Sequence, residues 1–223
     1  MSDRDQLYPY ANGQQYQGKP AREVFQDIYE QNTWNIHTHD SVSGEGSTNE
    51  QTLVLRSELA PLLRKLNIRS MLDLPCGDFH WMQTVDLQEI MYTGADIVPQ
   101  LIQYNQNRYG NESRQFVHKD LIKDTLPQVD LLFCRDCLVH FSNHDIASAL
   151  ANIKASGMNY LMTTHFPMED QNKDIVTGGW RPLNFCLPPF NFPPPLELLN
   201  EKCSEMEGAF QDKSMAVWKI EDL

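Results

Sequence analysis

The chain has 223 residues, of which 41% are hydrophobic and 22% charged, a composition that suits one globular domain with an N-terminal extension. Its formal net charge is -12 and no cluster of Lys and Arg stands out, which argues against nucleic acid as a partner because phosphate backbones are bound mainly by such clusters. No apolar run approaches the roughly 20 residues that cross a bilayer and the polar start is unlike a signal peptide, so we expect a cytoplasmic protein with no membrane partner.

The first 49 residues predict an arm, a helix and a loop rather than part of a sheet. Residues 1–19 are polar, with scattered tyrosines and turn formers, and are typical of a loosely held arm. Apolar residues at helical spacing then predict a short helix that ends before Trp34. The Ser- and Gly-rich segment 41–47 is typical of a loop. We therefore divide the chain into an extension, residues 1–49, and a domain, residues 50–223.

Helical and strand patterns alternate from residue 50 onward. A leucine stripe over 53–66 predicts a helix, which Thr48 or Asn49 would cap. The elements predicted after it are, in chain order, a strand over 71–74, a helix over 79–88, a strand over 92–97, a helix over 99–109, strands over 115–118 and 129–134, a helix over 143–156 and a strand over 159–164. Strands that alternate with helices predict a mainly parallel sheet with right-handed crossovers.

The C-terminal part of the chain departs from this alternation. Residues 177–195 contain six prolines, which disfavour both helix and central strand. Two short strands follow, over 196–202 and 215–220, and are predicted to close the sheet as an antiparallel pair. The predicted fold is therefore an α/β, doubly wound, mostly parallel seven-stranded sheet with an antiparallel terminal strand and an N-terminal helical extension.

Two carboxylates follow the first two predicted strands. The first strand leads into Asp73 and a tight turn with one glycine, Gly77, and the second strand ends at Asp96. Asp96 lies 96 − 73 = 23 residues beyond Asp73, near the roughly 20-residue spacing of a ribose-binding acid. This layout predicts a nucleotide-type ligand outside the carboxyl ends of the strands. The alternative for Asp96 is a helix N-cap or a solvated turn.

The order of these motifs resembles class I, Rossmann-like methyltransferases. The resemblance covers roughly residues 50–223 and rests on segment 70–78, on Asp96, on segment 116–121 after the third strand, and on segment 130–142 after the fourth. It implies a Rossmann-like fold, S-adenosyl-L-methionine as the cofactor and methyl transfer as the activity.

The first motif departs from the family pattern. The family has D-x-G-x-G-x-G, whereas this chain has Pro75, Gly77 and Phe79 at the three glycine positions, so the middle glycine alone is kept. Glycines let the backbone approach a ligand closely. S-adenosylmethionine carries no pyrophosphate and demands less of this approach, so the motif is interpreted as altered but usable. The lost glycines also motivate an alternative, a catalytically silent methyltransferase-like binding module.

The resemblance implies the cofactor contacts. Asp73 and Gly77 would hold the amino-acid end of the cofactor, Asp96 its ribose, and Asp120 with Leu121 its adenine. For Asp120 a helix cap is the alternative. The complete set of predicted cofactor-binding residues is Trp34, Arg56, Asp73, Pro75, Cys76, Gly77, Asp96, Ile97, Asp120, Leu121, Cys134 and Arg135.

Two of these predictions concern the extension and the helix that follows it. Trp34 and segment 41–47 are predicted to cover the cofactor or to receive the acceptor, because the intervening helix returns the chain to the first strand. Arg56 is predicted to pair with the methionine carboxylate, which suits a forked donor. The alternatives, that Trp34 serves only in packing and that Arg56 is an ordinary surface residue, are equally open.

Three side chains are candidates for catalysis. Methyl transfer from a sulfonium needs in-line positioning above all, and a hydroxyl acceptor also benefits from a base that takes its proton. His140 and Asp136, after the fourth strand, are the first candidates, and His165, at the end of the fifth, is the second. A histidine that packs and hydrogen-bonds locally is the alternative for His140.

A metal site is not predicted. Cys134-x-x-Cys137 with His140 raises the idea of zinc, and Cys76 and His80 would lie near them if the first and fourth strands are neighbours. Structural zinc takes four ligands at regular spacings, and this set is irregular. The five cysteines, an odd number without an export signal, are interpreted as reduced thiols.

The methyl acceptor is less readable. Pro75-Cys76 and Leu187-Pro188-Pro189-Phe190 resemble base-methylating motifs but stand at the wrong places, which argues against a nucleic-acid base. Segment 178–195, rich in glycine, proline and aromatic residues, is interpreted as a stiff lid for the acceptor or as a cover over the core; its candidate contacts are Trp180, Arg181, Asn184, Phe185, Phe190 and Phe192. The first hypothesis is a hydroxyl of a small molecule or carbohydrate. A protein side chain or an amine is the alternative acceptor.

Overall fold

The fold is a single seven-stranded sheet with helices on both sides. The structure, a computed structural model, describes residues 12–34 and 41–223. Most of the predicted arm, residues 1–11, lies outside the described residues. The strands are β1 (Ser70–Asp73), β2 (Met91–Asp96), β3 (Arg114–His118), β4 (Leu131–Cys134), β5 (Tyr160–His165), β6 (Glu197–Asn200) and β7 (Ser214–Lys219). The helices of ten or more residues are α1 (Ala21–Glu30), α2 (Leu53–Lys65), α3 (Pro99–Tyr109) and α4 (Asn143–Ala155), and a short helical turn, α5, spans Glu205–Gly208.

The strand order brings the segments that follow β1, β2, β3 and β4 to the same edge of the sheet, at the carboxyl ends of these strands. The order is β3-β2-β1-β4-β5-β7-β6. Strands β1 to β5 are parallel to one another, and β7 is antiparallel to both β5 and β6. The order changes direction between β1 and β4, and ligands of doubly wound sheets bind outside the carboxyl ends at such a point. The predicted fold class is confirmed.

Alternating side chains of the strands form two buried layers. On one face, Leu72 and Leu132 pack in a cluster with residues of α4, including Ile146. On the other face, Met71 and Leu131 pack in a cluster with residues of α2. This period-two alternation is expected of strands covered on both faces and explains why these segments read as continuous apolar runs.

Two predictions of local structure are wrong. The helix predicted over 79–88 is absent; the structure has turns and a short 3-10 turn, Met82–Thr84. Phe79 has a left-handed backbone with φ of 59° and buries its ring against Tyr92 and Phe116, which a helix beginning there would not allow. Burial in the core therefore sets the path of this segment.

The second correction concerns the start of α2. Helix α2 begins at Leu53 and its N-cap, Thr52, makes no side-chain cap. Thr48 instead accepts the N–H of Gln51 at 3.3 Å in the preceding turn. The leucine stripe identified the helix correctly, whereas the capping pattern belongs to the turn before it.

The proline-rich segment covers one face of the sheet. It forms neither helix nor strand over 177–195, as predicted. Phe185 and Phe192 are buried in the same cluster as Leu72 and Trp218. For these two rings the structure supports the interpretation as a core cover.

Within residues 12–34 and 41–223, none of the helices combines the length and the apolar character that crossing a membrane requires.

Candidate active site

A large cavity opens at the carboxyl edge of the parallel strands. It contains about 1110 Å³ of open space, including solvent at its mouth, and concave sites of this kind are where small molecules usually bind. Its walls come from the turns after β1, β2, β3 and β4 and from the N-terminal extension. The predicted site residues that line it are Trp34, Asp73, Pro75, Cys76, Gly77, Asp96, Ile97, Asp120, Leu121, Arg135, Asp136 and His140.

Three predicted residues are not among the described residues that line this cavity. Arg56 donates from Nη2 to the carbonyl of Asn49 at 2.7 Å. Cys134 is fully buried inside β4. His165 accepts the N–H of Phe185 on Nδ1 at 3.2 Å. The geometry gives their predicted roles no support, and among the described residues no group of His, Cys, Asp and Glu is arranged to hold a metal ion.

The turn after β1 joins two buried carboxyl groups. Tyr92 donates its hydroxyl to Oδ2 of Asp73 at 2.5 Å. Burial raises the pKa of Asp73 to about 8, although the Tyr92 hydrogen bond acts to lower it. Asp96 accepts the N–H of Gly77 at 3.0 Å and the N–H of Val98 at 2.9 Å. Burial likewise raises the pKa of Asp96 to about 6. Both groups are poorly solvated, so a cation or a hydroxyl donor placed beside them would be bound strongly.

Glycine is required at the centre of this turn. Gly77 has φ of 54°, a left-handed conformation that a side chain disfavours. A Cβ at Gly77 would lie 2.2 Å from Oγ of Ser43. The one glycine that this chain keeps in the first motif therefore lets segment 41–47 approach the β1 turn.

Segment 41–47 is fastened to the turns after β1 and β4. Asp78 donates its N–H to Oγ of Ser43 at 3.1 Å and accepts the N–H of Val42 on Oδ2 at 3.0 Å. Arg135 donates from Nη2 to the carbonyl of Gly46 at 2.8 Å. These three hydrogen bonds hold the extension against the large cavity, which Val42 and Ser43 help to line.

Asp120, after β3, holds its own turn while lining the cavity. Its Oδ1 accepts the N–H of Ile122 at 2.8 Å, and its own N–H donates to Asp124 at 2.8 Å. One carboxylate oxygen is thus used within a turn and not in a helix cap, because residues 121–123 form a turn. Leu121 beside it also lines the cavity.

A buried network of charges surrounds Asp136, after β4. Arg135 forms a two-pronged pair with Glu201, with N–O distances of 3.1 and 2.7 Å, and also contacts Asp136 at 3.1 Å. Lys213 contacts Asp136 at 2.7 Å. Burial acts to raise the pKa of Asp136, but the charges of Arg135 and Lys213 outweigh it and hold that pKa well below its usual value. Asp136 is therefore an ionised, weakly basic carboxylate.

His140 is held in one tautomer at the boundary of the site. Its Nδ1 lies 2.7 Å from the carbonyl oxygen of Gly179, which can only accept, so Nδ1 carries the proton and Nε2 has the lone pair. Burial lowers the pKa of His140 to about 4. Trp34 stacks on the imidazole with ring centroids 4.6 Å apart. The side chain is therefore a neutral acceptor with a fixed orientation.

The glycine pair 178–179 explains this orientation. Gly178 donates its N–H to the carbonyl of His140 at 2.8 Å. It has φ of 99°, and a Cβ there would lie 2.5 Å from both Tyr16 and Val24. Part of the segment interpreted as an acceptor lid thus positions a candidate catalytic histidine through its backbone, which leaves no side-chain signal in the sequence.

A second, smaller cavity adjoins the first. It contains about 650 Å³ of open space and shares Trp34, Ser43, Asp136 and His140 with the large cavity. The further residues that line it include three aromatic and three charged side chains: Phe166, Trp180, Phe210, Glu45, Glu205 and Lys213. Of these, Trp180 alone was a predicted site residue. Lys213 and Phe210 come from the segment before β7, and no motif marks them in the sequence.

Solved methyltransferase structures share this fold. Human N-acetylserotonin methyltransferase in complex with S-adenosylmethionine matches with a TM-score of 0.59 and 16% identity, over 91% of this chain and 60% of the human chain. The N-methyltransferase NodS from Bradyrhizobium japonicum WM9, in complex with S-adenosyl-L-homocysteine, matches with a TM-score of 0.50 and 14% identity, over 62% of this chain and 73% of NodS. No protein-family model and no curated protein matches the sequence.

At these identities the likeness establishes the fold. The chain has the class I, Rossmann-like methyltransferase fold, as its motifs predicted. It spans 60% of the length of the human enzyme.

Proposed function

We propose that the protein is an S-adenosylmethionine-dependent methyltransferase that acts on a hydroxyl group of a small molecule. The observation that carries the proposal is the meeting of two cavities at His140, one lined by the predicted cofactor residues and the other open to an acceptor. The shared fold supports the same function. The two similar structures carry the names of an N-acetylserotonin methyltransferase and an N-methyltransferase, so the fold by itself does not select the acceptor.

The large cavity fits S-adenosylmethionine by the chemistry of its walls. The cofactor carries a sulfonium and an ammonium, and the carboxyl groups of Asp73, Asp96, Asp120 and Asp136 all line the cavity. The buried carboxyl of Asp73 suits the ammonium, and that of Asp96 suits ribose hydroxyls, which donate to carboxylate oxygens. The departure at Phe79 does not narrow the site, because that ring is buried among Tyr92, Tyr109 and Phe116.

When bound, S-adenosylmethionine supplies a methyl carbon with a neutral thioether as its leaving group, so an acceptor oxygen gains the methyl and gives up one proton. His140 is the residue best placed to take that proton, since its Nε2 is an unprotonated acceptor in a side chain that lines both cavities; burial lowers its pKa to about 4, so it is a weak base that acts by its position. The Gly179 carbonyl would stabilise the imidazolium that results.

Asp136 is less suited to be the base. Its carboxylate is held ionised by Arg135 and Lys213, and a strongly stabilised carboxylate takes up a proton poorly. We propose that Asp136 fixes the shape and charge of the boundary between the cavities. His165 keeps its place as a candidate from the sequence alone.

Isothermal titration calorimetry tests the cofactor part of the proposal. We expect S-adenosylmethionine and S-adenosylhomocysteine both to bind the folded protein with one site each. The proposed enzyme would be refuted if neither compound binds to protein whose circular dichroism shows a folded α/β domain. Binding of both compounds without methyl release to any hydroxyl acceptor would favour the silent binding module, and methylation of amines alone would favour the alternative acceptor class.

A further inference from the structure

The second cavity has an aromatic wall. Trp180 and Phe210 lie edge to face with ring centroids 4.8 Å apart, and Phe166 is edge to face with both, at 6.1 Å from Trp180 and 5.9 Å from Phe210. Trp34 and His140, stacked on each other, also line this cavity. Phe166 and Phe210 are buried, whereas Trp180 and Trp34 are half-buried and present ring surface. The partly exposed rings of Trp34 and Trp180, with Phe166 and Phe210 packed beside Trp180, favour a flat apolar ligand.

The charges of the second cavity are predominantly negative. Three carboxylates, Glu45, Asp136 and Glu205, line it with a single ammonium, Lys213, which gives a formal balance of −3 + 1 = −2. Lys213 is already paired, at 2.7 Å from Asp136 and 3.8 Å from Glu205. A carboxylate or phosphate on the ligand would meet this excess negative charge in a poorly solvated space, where repulsion is strong.

The polar groups of the second cavity are mainly hydrogen-bond acceptors, because three carboxylates and the Nε2 of His140 line it. A monosaccharide needs a hydrogen-bond partner for each of its hydroxyl groups when it is buried, because an unpaired buried hydroxyl is costly. In the second cavity Asp136 and Lys213 bond to each other, and Ser43 already accepts the N–H of Asp78. The Nε2 of His140 accepts one proton. The cavity thus offers acceptors but few free donors, which suits a ligand with a hydroxyl that donates, and the aromatic wall suits a ring that carries this hydroxyl.

We propose that the second cavity is the acceptor site and that its acceptor is an aromatic molecule with a hydroxyl group and no anionic group. The proposal rests on the proposed methyltransferase function and narrows its acceptor from small-molecule hydroxyls in general to aromatic ones. The aromatic wall holds the ring, the acidic lining rejects anions, and His140 receives the hydroxyl. Trp34, Ser43 and Asp136 line both cavities, so the acceptor lies next to the cofactor.

Three probes of similar size test the class of acceptor in the presence of saturating S-adenosylhomocysteine. They are 2-naphthol, a neutral aromatic hydroxyl; 6-hydroxy-2-naphthoate, the same ring with a carboxylate; and methyl glucopyranoside, a neutral polyol. Binding is measured by titration calorimetry and by saturation-transfer difference NMR. We expect 2-naphthol to bind, the carboxylate probe to bind at least about tenfold more weakly, and the glucoside to give no transfer.

Two variants with matched controls assign the binding to this cavity. Trp180→Leu should weaken 2-naphthol about tenfold, whereas Tyr104→Leu, at an exposed aromatic residue on α3, should leave its affinity unchanged. Glu205→Gln should reduce the difference in affinity between 2-naphthol and the carboxylate probe. Glu207→Gln, at an exposed neighbour that does not line the cavity, should change this difference far less. Thermal unfolding of each variant shows whether it is folded at the assay temperature.

The outcomes separate this proposal from the one on which it rests. Binding of S-adenosylhomocysteine together with preference for the glucoside, or for the carboxylate probe, would overturn the aromatic acceptor and leave the methyltransferase standing. Unchanged 2-naphthol affinity in folded Trp180→Leu would overturn the assignment to this cavity. Failure of S-adenosylhomocysteine to bind would remove the methyltransferase, and the acceptor proposal with it.

Discussion

The two cavities are built from different parts of the chain. The large cavity takes most of its polar groups from turns that follow β1, β2, β3 and β4, where the sheet topology brings strand ends together. The second cavity takes its aromatic wall from Phe166, Trp180 and Phe210, on segments outside any helix or strand. A site at the strand ends is fixed by the fold, whereas a site made of loops is specific to this chain. We therefore expect substitutions to separate donor binding from acceptor chemistry.

The largest expected effect is on the acceptor side. His140→Ala should reduce methyl transfer by roughly 10²–10⁴-fold, the range for loss of a general base. It should change the affinity for S-adenosylhomocysteine by less than about threefold, because the large cavity keeps its carboxyl groups. Turnover is followed as S-adenosylhomocysteine release with a hydroxyl acceptor that the unsubstituted protein methylates.

His144→Ala is the matched control for that variant. His144 is exposed on α4 and lines neither cavity, so its loss should leave turnover and donor affinity unchanged. Turnover that survives in folded His140→Ala would mean that positioning alone carries the reaction, and the division between the cavities would then rest on binding only.

At Asp96 we expect the converse effect, a loss of affinity for the donor. Asp96→Ala removes a buried carboxylate that orients the Gly77 turn and that we assign to the ribose. Loss of one hydrogen bond to a charged group, at about 1.5–3 kcal/mol, should weaken S-adenosylhomocysteine binding roughly 10- to 150-fold in calorimetric titrations. Asp86→Ala, at a carboxylate with 62% of its side chain exposed, is the control. An unaltered affinity in folded Asp96→Ala would disprove the ribose assignment.

The large cavity could be anticipated from the sequence because its residues end strands. Asp73, Gly77 and Asp96 follow apolar runs at a spacing that the α/β unit imposes, and all three line the cavity. The failure over residues 79–88 has a physical cause. Phe79 is apolar and fits a helical pattern as well as a buried turn, and its ring packs against residues of β2 and β3, which sequence spacing does not reveal.

The second cavity could not be anticipated in this way. Its contacts join positions as far apart in the sequence as Trp34 and Lys213, and such pairings depend on the packed fold. The orientation of His140 depends on a carbonyl at Gly179, which any residue type would supply. The sequence identified Trp34 and Trp180 as aromatic residues in segments predicted to cover the cofactor or the acceptor. It did not show that the two side chains line one cavity.

The pH dependence of donor binding would sharpen the description of the large cavity. Burial raises the pKa of Asp73 to about 8, so the carboxyl is largely protonated at neutral pH before a ligand binds. An ammonium placed beside Asp73 favours the ionised form, and binding below about pH 8 therefore releases a proton. The affinity for S-adenosylhomocysteine should rise with pH, by at most about tenfold per unit, and level off above about pH 8.

Titrations at several pH values, in buffers with different heats of ionisation, measure this proton release directly. Asp73→Asn should remove the pH dependence between about pH 6 and pH 8, above the pKa of about 6 of Asp96, while Asp86→Asn should keep it. Proton uptake on binding, or an affinity independent of pH in the unsubstituted protein, would place the ammonium away from Asp73.

The smallest expected effect is at Ser43, which lines both cavities and would link them. Ser43→Ala removes the acceptor of the Asp78 N–H, and a hydrogen bond of this kind contributes about 0.5–1.5 kcal/mol. We expect S-adenosylhomocysteine and 2-naphthol both to bind roughly two- to tenfold more weakly, since segment 41–47 closes onto the β1 turn and borders each site. Ser57→Ala, at an exposed serine of α2, should affect neither affinity. A loss confined to one ligand would show that the segment serves that cavity alone, and the two sites would then be independent in binding although they share a wall.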